Sequence, residues 1–147
     1  MANFKYELEN VLNVREKLQN IKQKEYADAL ELLKKEKQIK KQINHSLNNS
    51  RHAFKSSISD YIDPKKIKSQ QNYHMLLEDQ YQIATEKVEI AKGKTEKQRI
   101  ELLNAMKNKK TLEILKEKRF EQFIEQEKKD EQQVVDEIVS FAYKKSK

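Results

Sequence analysis

Apolar residues recur along most of the chain at steps of three and four, the spacing that places them on one face of an α-helix. From residue 8 the stripe runs Leu8, Val11, Arg15, Leu18, Lys22, Glu25, Ala29, Leu32, Glu36, Ile39 and Ile43. It continues through Leu47, Ser50, Phe54, Ile58 and Tyr61. Leu12, Val14, Ile21, Tyr26, Leu30 and Leu33 widen it. The four-residue step at Ile43 is a stutter, which locally unwinds a left-handed supercoil. A second seam runs Ile67, Gln70, His74, Leu77, Tyr81, Ala84, Val88, Ala91, Thr95, Gln98, Leu102, Ala105, Lys109 and Leu112. It then passes through Lys116, Phe120, Phe123, Glu127 and Glu131 to Val134, Ile138 and Phe141. Both are heptad patterns with polar lapses.

Between the two seams stands the only proline. In Asp60-Tyr61-Ile62-Asp63-Pro64-Lys65, Asp63 has the chemistry of a helix N-cap and Pro64 suits the first helical position. The pattern therefore predicts helix one over about 4–61, a turn at about 62–65 and helix two over about 65–145. The expected fold is all-α: two long helices in one antiparallel coiled-coil hairpin spanning 1–147, with the C-terminal helix longer. If both helices leave one turn, residues whose numbers sum to about 126–131 face each other. Phe4 then meets residues in the region of about 122–127, and the C-terminal "QVVDEIVSFAY" overhangs without a partner from its own chain.

Composition removes most alternatives. The 147 residues contain one Gly, one Pro, no Cys and no Trp, with 37% charged and 36% hydrophobic. So little Gly and Pro disfavours a loop-rich compact domain, and the regular apolar spacing argues against disorder. Without cysteine there is neither a disulfide framework nor a thiolate metal site. No apolar run near Met1 reads as a signal peptide, and no window reads as a membrane span.

The net charge of +7 mixes 31 bases with 24 acids. The one strong basic cluster, Lys34–Lys41, reads as a solvated helix face. A nucleic-acid-binding hairpin is the alternative, and its binding would weaken steeply with salt. A helix lying on a membrane needs one wide apolar face opposed by bases, which the mixed charge and narrow stripe do not supply.

Catalytic chemistry is missing. Gly93-Lys94-Thr95 has the end of a phosphate loop, but Val88 stands where the first glycine is needed and the context is helical. His45, His52 and His74 lack the spacing of metal ligands. Asn44-His45-Ser46 and Asn48-Asn49-Ser50 are glycosylation acceptors only in secreted chains. The expectation is no enzyme, no cofactor and no metal.

The segment Phe4-Lys5-Tyr6-Glu7-Leu8-Glu9-Asn10-Val11-Leu12-Asn13-Val14-Arg15-Glu16 resembles the N-terminus of the flagellar export FliJ family. Tyr73, Leu77, Tyr81 and Ala84, then Leu112–Phe120 and Asp136-Glu137-Ile138, extend the resemblance over nearly the whole chain. It implies a non-enzymatic stalk of the flagellar type III export apparatus, similar to the central stalk of rotary ATPases. The implied place is the cytoplasm, at the inner face of the membrane through the apparatus. The implied partners are the hexameric export ATPase, the cytoplasmic domain of the membrane export gate, and export chaperones, with no nucleic acid. Carried onto this sequence, the ATPase end comprises Phe4, Leu8, Val134, Val135, Ile138, Phe141 and Tyr143. The gate surface comprises Ile39, Ile43, Leu47, Tyr73, Leu77, Tyr81 and Ala84, although Gln80 stands where the family has a small residue. Outside the resemblance, a generic oligomerising adaptor or type III chaperone remains the alternative.

Overall fold

A computed structural model describes residues 3–59 and 61–146. Asp60, near the end of predicted helix one, lies outside the described residues. The chain forms two helices, α1 (Glu9–Ser59) and the longer α2 (Pro64–Ser146), and among the described residues there is no strand. The fold is a helical hairpin, as the periodicity predicts. α1 begins at Glu9 rather than near residue 4. Residues 3–6 are irregular, and the Glu9 amide donates to the Tyr6 carbonyl at 3.1 Å to close the turn into the helix.

The start of α2 follows from two residues. Asp63 Oδ1 accepts the Lys65 amide at 3.1 Å, and its carbonyl accepts the Ile67 amide at 3.0 Å. Pro64 occupies the first helical position, where no N–H is needed. At the other end Lys144 and Lys145 lie in the last turn, where positive charge suits the helix dipole.

The helices divide into two compact units, one of Met1–Asn20 with Asn104–Lys147 and one of Ile21–Leu103. In the first unit, Phe4 packs against Phe120 with ring centroids 5.3 Å apart and edge to face, and against Phe123 at 5.5 Å. The Tyr6 hydroxyl donates to the Leu112 carbonyl at 3.1 Å, and Lys116 pairs with Glu9 at 2.8 Å. Leu12 and Ala105 are its buried apolar residues.

In the second unit the core is Leu47, Leu77, Ala84, Val88 and Ala91, with Thr95 as the buried polar residue. Small residues on α2 leave room for long side chains from α1. Lys40 lays its ammonium over the Tyr81 ring, 5.6 Å from the centroid, so its stem covers the seam while its charge stays wet. The Thr95 hydroxyl reaches the carbonyls of Ala91 at 2.8 Å and of Ala29 at 3.3 Å, a polar pin across the seam. Lys22 bridges Glu101 at 3.0 Å and Glu25 at 3.2 Å. With its amide nitrogen turned toward these carboxylates, Gln98 donates to both. The hydrogen bond that Lys22 donates to Glu101, then that to Glu25, holds its pKa above the ordinary lysine value. A raised lysine pKa stabilises the fold at neutral pH, and this contribution fades only as pH rises through the elevated pKa.

The α2 seam is where the periodicity places it, every position from Ile67 to Leu112 being buried or half-buried. The α1 stripe is so placed only in part: Arg15, Lys22, Glu25, Ala29, Glu36, Ile43, Leu47 and Ser50 are buried or half-buried. Leu8, Val11, Leu18, Leu32 and Ile39 are exposed, while Leu12, Gln19, Leu33 and Lys40 turn toward the seam in their place. Along α1 the apolar residues come as neighbours, Val11 with Leu12 and Leu32 with Leu33, so the spacing admits two faces. Cross-seam partners select one of them. Paired numbers in the second unit sum to between 121 (Lys40 with Tyr81) and 127 (Ser57 with Gln70), slightly below the expected register.

Gly93 lies inside α2, and a Cβ built there meets nothing within 4 Å. The glycine therefore carries its helix penalty with no packing return. Gly93→Ala is expected to raise stability by about 1 kcal/mol, read as a later midpoint in urea unfolding followed by circular dichroism.

Candidate functional site

Among the described residues no group of three or more His, Cys, Asp or Glu could hold a metal ion. His74 Nε2 instead meets Glu78 Oε1 one turn along α2, at 3.0 Å. Among the described residues no helix is long and apolar enough to cross a membrane. Gly93-Lys94-Thr95 stands within α2, where Thr95 is spent on the seam. What the molecule presents is apolar side chains on exposed helical faces, the chemistry of protein recognition.

The first such face is the end of α2. Every described residue from 128 to 146 is exposed. Val134, Ile138 and Phe141 recur at four and three, and Val135 and Val139 widen the face. Ile138 is 63% exposed and Phe141 69%. In an otherwise charged helix, such a face lacks the cover that the seam gives Leu77 or Val88. Tyr143 is also exposed, and its carbonyl accepts the Ser146 hydroxyl at 3.0 Å. The other two residues assigned to this end behave differently. Phe4 is half-buried against Phe120 and Phe123, so it braces α2 rather than standing clear of it. Leu8 borders an open cleft lined by Phe4, Arg119, Gln122 and Phe123.

The second face lies on the unit Ile21–Leu103. Of the gate set, Leu47, Leu77 and Ala84 are buried in the seam, and Ile43 and Tyr81 are half-buried. Only Ile39 and Tyr73 are exposed. The structure adds residues that the periodicity overlooked. Ile39 and Ile83 line one shallow cleft with Glu36, Ile43, Gln80 and Lys87. Leu76, Ile83 and Ile90 are exposed at intervals of seven, each just before a seam residue: Leu77, Ala84 and Ala91. The signal was those doublets. A strip of apolar residues beside the seam cannot be told from the seam itself by spacing alone.

Comparison with known proteins adds one finding. The chain matches the family described as FliJ, flagellar FliJ protein, over residues 4–147. No curated protein and no solved structure matches it.

Proposed function

The chain belongs to the flagellar FliJ family, and from that premise we propose that it is a stalk that couples the export ATPase ring to the export gate. Family membership supports a role in flagellar type III protein export. The finer reading assigns two working surfaces. The C-terminal face of Val134, Val135, Ile138, Phe141 and Tyr143, together with Phe4 and Leu8 beside Phe123 further back along α2, enters the hexameric ATPase. The face carrying Ile39 and Tyr73 meets the cytoplasmic domain of the gate, with Leu76 and Ile83 beside them and Ile43, Leu47, Leu77, Tyr81 and Ala84 forming the seam beneath. Export chaperones are further partners in this reading, and the site of work is the cytoplasmic face of the inner membrane.

The observation that supports it best is the apolar face at the end of α2, where Val134, Val135, Ile138 and Phe141 are each more than half exposed. Capture of the purified chain by the cognate export ATPase, compared with a chain ending at Glu131, tests it. Binding that survives high salt and vanishes on truncation supports an apolar stalk tip, because contacts of buried apolar area are weakly screened. Binding indifferent to truncation places the ring contact elsewhere. Failure of both chains to bind favours the oligomerising adaptor or chaperone.

A further inference from the structure

The turn between the helices carries chemistry that export coupling leaves unused. Turns that merely reverse a chain favour Gly, Asn, Asp and Ser. This one places Tyr61 and Ile62 in the open, 84% and 58% exposed, with Ile58 and Phe54 exposed on the last turns of α1. Arg51 and Lys55 precede Tyr61 and Ile62 on α1 and Lys65, Lys66 and Lys68 follow them on α2, all exposed. Between residues 51 and 68 these five bases face two acids, Asp60 and Asp63, a net charge of +3. The Asp63 carboxylate is engaged in capping α2. Among the described residues none of the five bases forms an ion pair, whereas Lys22, Lys35, Lys92, Arg99 and Lys116 all do.

We propose that this turn is a contact for an anionic lipid surface. Tyr61 and Ile62 enter the boundary between headgroups and acyl chains, and the five bases meet lipid phosphates. Three features favour a bilayer over an acidic protein. Tyr61 and Ile62 lie between the two helices and are both more than half exposed. Tyrosine has an apolar ring and a polar tip, the combination that settles at membrane interfaces. Lysine and arginine flank the exposed pair on both helices, and long stems let them reach phosphate as the ring sinks. Clusters of four to eight bases beside apolar side chains bind anionic lipid through the surface potential. This contact needs only the unit Ile21–Leu103 and is independent of the ATPase and gate assignments.

The chain has no tryptophan, so Tyr61→Trp gives it a single indole at the turn. The full chain would be mixed with vesicles of phosphatidylglycerol in phosphatidylcholine, and with phosphatidylcholine alone, at low and high salt. The expected result is sedimentation with anionic vesicles only, weakened by salt, with a blue shift of the indole emission. Tyr61→Ser with Ile62→Ser, and separately Lys65→Glu with Lys66→Glu, should each lower vesicle affinity about tenfold. Lys34→Glu with Lys35→Glu, in the other basic cluster, should change it less than about twofold. Circular dichroism checks that the exposed substitutions leave both helices formed. Four results each overturn the proposal. They are no sedimentation with anionic vesicles at low salt, turn variants that bind like the parent, equal loss in the Lys34 and Lys35 variant, and an unshifted indole in bound chain. The first would leave an acidic protein surface as the partner, and the third would reduce the interaction to charge alone.

Discussion

Replacing Ile138 and Phe141 together by Asp is expected to abolish association with the export ATPase ring while the hairpin stays folded. Both side chains are well over half exposed, so the fold loses almost no burial when they go. The partner loses more. Truncating an apolar anchor at an interface costs about 2 kcal/mol or more, and an unpaired carboxylate in an apolar pocket adds a desolvation penalty of similar size. Together that is on the order of a thousandfold or more in affinity. Asp near a helix C-terminus also opposes the helix dipole. A second variant, Ile138→Gln with Phe141→Gln, removes the apolar face while keeping residues that favour helix. Both variants should fail to stimulate or bind the ring, with mean ellipticity close to that of the parent. Normal stimulation by either would remove this face from the ring contact.

Leu77→Ala is expected to cost about 2–3 kcal/mol, and Leu76→Ala less than about 0.5 kcal/mol. These neighbours differ in chemistry by nothing and in setting by almost everything, 5% against 53% exposed. The larger cost combines lost transfer free energy with the gap left against α1. It stays near the low end of the core range because a seam only two helices deep can close in on a vacancy. Urea unfolding of the two variants measures both. A reversal of their order would mean that α2 is rotated about its axis relative to the seam described above. Leu76→Ala has a second use. If its stability is unchanged but gate binding falls, the strip of Leu76, Ile83 and Ile39 faces the gate in place of the buried residues to which the resemblance points.

The boundary between what could be read and what could not runs through particular residues. Asp63 and Pro64 announce the start of α2 because capping is local chemistry, decided within one turn of helix. The α2 seam is equally legible, since Ala84, Val88, Ala91 and Thr95 are small residues at strict helical spacing. α1 is harder. Its apolar residues form a band wide enough for two stripes, and the buried one contains Gln19, Lys22, Glu36 and Lys40. Nothing local marks Lys40 as a seam residue. It becomes one because Tyr81 lies across from it. The Phe4 cluster is similar: its aromatic partners, Phe120 and Phe123, are distant in sequence and meet it only after the chain has reversed.

The sequence by itself determined two helices, their order, the turn between them, the greater length of α2 and membership of an export family. All of these rest on periodicity, capping and motif, which act over a few residues at a time. Only the tertiary structure decided which face of α1 is covered, which member of each apolar doublet is buried, and therefore which side chains are left for partners. That choice is made by pairing across the seam, by Thr95 against Ala29, Lys22 against Glu101 and Lys40 over Tyr81. A three-and-four repeat fixes the angle between side chains on one helix, but the rotation of that helix against another depends on the residues it meets.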